Sequence, residues 1–304
     1  MSAPALRPLG IGEIFDVSIK IYRRHAGTLM KLVSFVVVPV AILSGLIQVS
    51  ALPQEDEFYL AADEALGTYI AGIAVTAILS LLATIVATAA CFKAVADAYL
   101  GQRPNWRDSL GYVFRRLHSV LWILVLSMLI LIPAFIACIL PGVWLGVGYS
   151  VAIPVLLTER KKGFESLRRS FRLVRGRWWP AFAVVLLGYL LTAIVGGALT
   201  AVVGGFTTFD AATTSVTAVV ANMAASAVSD VLTIPFIAAF LIVLYFDLRV
   251  RKEAFDLQLL AEQIGVEPPE GIGPPPPDEP PAAGEQPPFW PPPPGWKASR
   301  PEGE

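Results

Sequence analysis

Few side chains in this sequence could do chemistry, and their positions narrow what that chemistry would be. Asp230 and Lys31 are the charged residues inside the long apolar stretches, and Asn222 and Ser229 lie close to Asp230 in the chain. A carboxylate, an amide and a hydroxyl could hold a cation at the outer face. The same residues also describe a solvated acid in the first turn of a helix, and that is the reading the sequence favours. Lys31 stands near the end of its stretch, where a long stem lets the ammonium reach the interface. His25 and His118 each sit beside arginines, which argues against a metal ligand at either. Cys91 and Cys138 fall near the ends of successive apolar stretches that face opposite sides of a bilayer. A disulfide needs Cα atoms within about 7 Å, so both are expected to be small packing residues. There is no Gly-rich phosphate loop, no CxxC pair and no HExxH. No catalytic residue, metal ligand or cofactor site is assigned, and the chain is expected not to be an enzyme.

The densest chemical signal is positive charge. Arg160, Lys161, Lys162, Arg168, Arg169, Arg172, Arg175 and Arg177 lie within one short segment of a chain whose formal net charge is only -1. Phe164, Leu167, Phe171, Val174 and Trp178 recur through it at steps of three and four, which is the spacing of one helical face. Arg168, Arg169, Arg172 and Arg175 fall mostly on the other faces. Trp178 and Trp179 arrive where the next apolar stretch begins, the place interfacial aromatics occupy. A basic amphipathic helix lying on an anionic leaflet accounts for all of this. Nucleic-acid recognition would require more than charge and is not expected. Candidate lipid or partner contacts are therefore Arg168, Arg169, Arg172, Arg175, Arg177, Trp178 and Trp179.

The surrounding elements follow from composition. Of 304 residues 55% are hydrophobic and 15% charged, against roughly a quarter charged in soluble domains. About 20 apolar residues cross a bilayer as a helix, and six stretches qualify: 29–51, 68–92, 119–140, 142–158, 180–203 and 227–246. The third and fourth are joined through Pro141 and Gly142, which predicts a tight turn there. The first stretch is too long for the apolar region of a signal peptide and begins late, so no cleavable signal is expected. The expected fold is an all-α, six-helix integral membrane bundle covering 1–266.

With six crossings, all 23 Lys and Arg residues sort to one side. The other side receives Glu55, Asp56, Glu57, Asp63, Glu64 and Asp210 together with the Pro141 turn. The positive-inside rule then places both termini and the basic loops in the cytoplasm.

Two further patterns concern packing and repetition. Aligning Glu13 and Asp108 with Glu165 matches Ser18 to Ser170 and Ser109 to Ser166, with apolar and basic neighbours in step. This predicts a unit of one basic amphipathic helix plus a two-span hairpin, used three times in parallel. Small residues four apart, Gly72 to Thr88, Gly142, Gly146 and Pro154, and Gly188, Gly196 and Gly204, predict close helix packing. A hydroxyl-lined path is the alternative reading of those stripes. From 267 to 304 the chain holds fifteen prolines and seven acids, which predicts an extended, disordered tail. Within it PPFWPPPPGW offers a polyproline ligand for a protein partner.

RPLGIGEIFDVSIKIYRR (7–24), YSVAIPVLL (149–157) and SLRRSFRLVRGRWW (166–179) together resemble the bacterial family labelled glycerophosphoryl diester phosphodiesterase membrane domain. The resemblance covers about 7–255 and implies a multi-span protein of a bacterial inner membrane with unassigned activity. The hydrolase barrel behind that label needs about 250 residues and has no counterpart here, so no catalytic residue is carried over. The expected function is a non-enzymatic membrane module that organises lipid or a partner; a small transporter or channel is the alternative.

Overall fold

A computed structural model describes residues 8–50, 62–159, 161, 163–209 and 215–253. The Pro-rich segment 267–304, Arg160, Lys162, Asp210 and Glu55 to Glu57 lie outside those residues. Each element among the described residues is an α-helix: α1 (Ile11–Ser50), α2 (Ala62–Tyr99), α3 (Trp106–Phe114), α4 (Leu117–Ala137), α5 (Ile139–Tyr149), α6 (Ala152–Glu159), α7 (Phe164–Val174), α8 (Trp178–Phe209) and α9 (Ser215–Glu253). Among the described residues, six helical stretches are long and apolar enough to cross a membrane: Ile11–Ser50, Ile70–Tyr99, Leu117–Ala137, Ile139–Glu159, Trp178–Val202 and Val219–Glu253.

The last of these is the centre of the bundle. From Ala238 to Leu248 every residue of α9 is buried, as expected of a helix that is apolar all round. α1, α2 and α8 pack along it. Tyr99 of α2 stacks on Phe246 with ring centroids 4.8 Å apart. Gly188 of α8 admits the Phe240 ring, which would lie 2.6 Å from an added Cβ. The first segment of α1 joins the same core through Ile14, Ser18 and Ile21 and then bends at His25 (φ -114, ψ 16). Its start is pinned: the Leu9 N–H donates to Asp247 Oδ1 at 2.7 Å, and Arg251 binds both Asp247 oxygens at 2.9 Å. Asp247 is buried, and these partners satisfy its charge. The neighbourhood of Leu9, Asp247 and Glu253 is called the basic end below.

The α4–α5 hairpin departs from the sequence expectation in three ways. The chain reverses at Cys138, which is extended (φ -170, ψ 148). Pro141 already stands in the first turn of α5, where its missing N–H costs no helical bond. Gly142 is required beside it because the Phe135 ring would lie 2.5 Å from a Cβ. A second interruption, at Ser150 and Val151, separates α5 from α6, since Pro154 cannot donate to the Ser150 carbonyl.

The position of the tip is the larger difference. Trp178, the first residue of α8, donates from Nε1 to the Trp144 carbonyl at 3.2 Å. Cys138 lies six residues from Trp144, about 9 Å at the helical rise. Leu140 and Pro141 share an apolar recess with Trp178, Trp179 and Phe182. The tip is thus held beside the opening turns of α8, at the same end as Trp178, and not at the far end where the alternation of six crossings put it.

Candidate membrane-surface site

The basic segment folds as α7, with a glycine in the left-handed region at each flank: Gly163 (φ 54) before it and Gly176 (φ 91) after it. A side chain would strain either turn, so these residues set the direction in which α7 enters and leaves. Its buried face is Ser166, Leu167, Ser170, Leu173 and Val174. That face is rotated from the predicted one: Phe164 is 61% exposed. Two of these five are serines, which allow close approach. Ser170 Oγ donates to the Gly148 carbonyl at 2.7 Å, and the Phe171 ring fills the space over Gly148, 2.5 Å from where a Cβ would be. Trp144 meets Phe171 edge to face at 4.8 Å.

The arginines of α7 divide into two populations. Arg169 turns inward and joins a cluster of two carboxylates and two guanidiniums. It donates to Glu159 from Nε at 2.9 Å and from Nη2 at 3.3 Å, and it pairs with Glu253. Arg249 pairs with Glu253 at 3.2 Å and approaches Glu159 at 4.0 Å. The Tyr245 hydroxyl donates to Glu159 at 3.0 Å and lies 2.7 Å from Thr158 Oγ1. Burial works against the Arg169 charge, but the hydrogen bonds and charges of Glu159 and Glu253 outweigh it and hold the guanidinium above its ordinary pKa. Arg169 is therefore the bolt that fastens α7 to α6 and α9.

Arg168, Arg172, Arg175 and Arg177 are exposed. Lys252 donates from Nζ to the Arg172 carbonyl at 2.6 Å and to the Arg175 carbonyl, capping the last turn with positive charge as the helix dipole favours. Trp179 is 74% exposed, while Trp178 is half-buried and stacks on Phe182 at 5.1 Å. The outward surface thus carries four guanidiniums with Phe164 and Trp179 at its margins. Chemically it can bind phosphate oxygens and insert aromatic rings; none of its residues forms a nucleophile–base pair.

The predicted packing residues also divide. Gly196 would place a Cβ 2.8 Å from Ser229 Oγ, so it joins Gly188 and Gly142 as a true close contact. Pro154 is buried. Gly146 has nothing within 4 Å of a built Cβ, and the tight glycine of α5 is Gly148 instead. The surroundings of Gly204 lie outside the described residues. Along the hydroxyl stripes, Thr76, Thr84, Thr192 and Thr200 donate to carbonyls of their own helices.

No family model matches the chain, and no curated protein and no solved structure is similar to it.

Proposed function

We propose that the chain is a non-enzymatic multi-pass protein of a bacterial inner membrane that gathers anionic lipid at its basic end. One observation carries this reading: α7 is bolted to the bundle through Arg169 while Arg168, Arg172, Arg175 and Arg177 stay exposed beside Trp179. A fixed helix presents its charges without the entropy cost of ordering a loop at each encounter. Each such charge near an anionic surface contributes about 1 kcal/mol. The distribution of all 23 Lys and Arg residues supports a cytoplasmic basic end. Ser18, Ser109, Ser166 and Ser170, which the internal alignment pairs, are all buried. This supports one amphipathic unit used three times, and with it the likeness of 7–24, 149–157 and 166–179 to the glycerophosphoryl diester phosphodiesterase membrane domain proteins. The Pro-rich tail would offer the same cytoplasmic side a ligand for a protein groove.

The test uses the full chain in liposomes with spin-labelled phosphatidylglycerol or phosphatidylcholine. The wild type should immobilise a larger share of the anionic lipid, and raised salt should reduce the difference, because screening acts over about 8 Å at physiological ionic strength. Replacing Arg168, Arg172, Arg175 and Arg177 with Gln should abolish it. Equal immobilisation of both lipids by the wild type would end the lipid reading and transfer the surface to an acidic protein partner.

A further inference from the structure

A half-open cavity of about 410 Å³ lies between α1, α2 and α9. Its polar lining is Gln48 from α1, Ser80 and Thr84 from α2, and Asn222, Ser226 and Asp230 from α9. Asp230 stands fifteen residues into α9, which corrects the expectation of an acid at a helix N-terminus. Exposed apolar side chains continue past it toward the far end, Ile70 and Ile73 on α2 and Val216 and Val220 on α9. Leu81 and Leu82 of α2 are exposed nearer the basic end. The carboxylate therefore sits within the apolar belt, where an ionisable residue is costly and functional by default. Among the described residues no Lys, Arg or His lines the cavity, and no cation pairs with Asp230.

We infer that this cavity binds a primary ammonium group carried on a short apolar stem, with Asp230 as its counter-ion. An anion is excluded by the unpaired carboxylate and the absence of any donor cation. A dedicated divalent site gathers several anionic or carbonyl oxygens around the ion; among the described residues the lining holds one acid, Asp230, and no three His, Cys, Asp or Glu side chains cluster. A bare monovalent ion leaves the volume unexplained: a water's share of liquid is about 30 Å³, so the space suits a body of several heavy atoms. Val37 and Met223 supply an apolar wall for that body. Thr84 Oγ1 spends its proton on the Ser80 carbonyl at 2.9 Å, which leaves its lone pairs to accept, and an ammonium brings three donors. The stem and headgroup chemistry is shared by a free alkylamine and by the ethanolamine headgroup of a lipid.

The test follows the unfolding temperature of the full chain in phosphatidylglycerol nanodiscs. Butylammonium chloride should raise it saturably in the wild type and in Asp230→Glu. In Asp230→Asn the half-saturating concentration should rise roughly tenfold or more, the equivalent of about 1.4 kcal/mol. Sodium chloride and 1-butanol should not reproduce the effect. If phosphatidylethanolamine in the disc raises the temperature and blunts the butylammonium increment, the natural ligand is the lipid headgroup; if it does neither, the ligand is a free amine. No saturable effect in the wild type, an equal effect in Asp230→Asn, or an equal effect of sodium overturns the assignment.

Discussion

Arg168 and Arg169 are neighbours of one residue type, yet they should respond oppositely to the same substitution. In Arg169→Gln, Glu159 and Glu253 lose their shared guanidinium, and Arg249 is left to face both carboxylates. Their side chains are 11% and 21% exposed, so water recovers only part of the loss. Breaking a buried pair costs about 3–5 kcal/mol; the residual exposure lowers the expectation to about 2–3 kcal/mol. On the scale of domains of this size, 1 kcal/mol shifts the melting temperature by about 2–4 °C, which predicts a fall of roughly 4–12 °C. Arg168→Gln, at an exposed position, should stay within about 0.5 kcal/mol of wild type while weakening the preference for anionic lipid. The assay is thermal unfolding of the purified protein in a neutral detergent, followed by the spin-label measurement on the same samples. A further variant, Glu159→Gln with Arg169→Met, removes one charge of each sign and should recover part of the lost stability. Equal melting temperatures for Arg168→Gln and Arg169→Gln would refute the division of the arginines.

Two other outcomes follow from the packing. The native thiol of Cys138 reports on the hairpin tip, because the only other cysteine, Cys91, is buried: an impermeant maleimide should not label it from outside intact cells, whereas Asp56→Cys should be labelled, and a labelled Cys138 would place the tip at the outer face. Gly188→Ala drives a methyl into the Phe240 ring and should cost about 1–3 kcal/mol, whereas Gly146→Ala meets open space and should be neutral or stabilising by up to about 1 kcal/mol; a thermal melt showing the reverse order would exclude the assigned contacts.

The apolar stretches were readable because hydropathy is a local property, and each helix long enough to span contains one. Their ends were not. The segment 204–226 is rich in Ala, Ser, Thr and Val and polar enough to pass for a loop, yet α8 runs to Phe209 and α9 begins at Ser215. That misplaced Asp230, which moved from a helix end to the wall of a cavity. The tip of the α4–α5 hairpin depends on which surface Trp144 meets, a long-range fact that alternation along the chain does not contain. Within α7 the periodicity found a helix but assigned Phe164 to its buried face, since serine does not register as apolar. The signal that points to the true face is the serine match among 11–24, α3 and α7: Ser18, Ser109, Ser166 and Ser170 are all buried. Nothing in composition separates Arg169 from Arg168; the difference lies in how the fold brings Glu159 of α6 and Glu253 of α9, the latter distant in sequence, to the Arg169 side of α7.

The shallow hairpin also changes how the molecule would load a bilayer. With the tip held beside Trp178, α4 and α5 add their bulk near the basic end, while α1, α2, α8 and α9 alone continue toward the other. A helix is about 10 Å across and rises about 1.5 Å per residue, so a hairpin of 21 and 11 residues kept at one end lies along that leaflet and displaces on the order of 500 Å² from it with no matching displacement in the opposite one. Such a cross-section is a wedge. Many copies would relieve the mismatch by bending the membrane so that the leaflet holding the hairpins becomes the convex one, and lipids of small headgroup would collect in the opposite leaflet, where the inclusion is narrow.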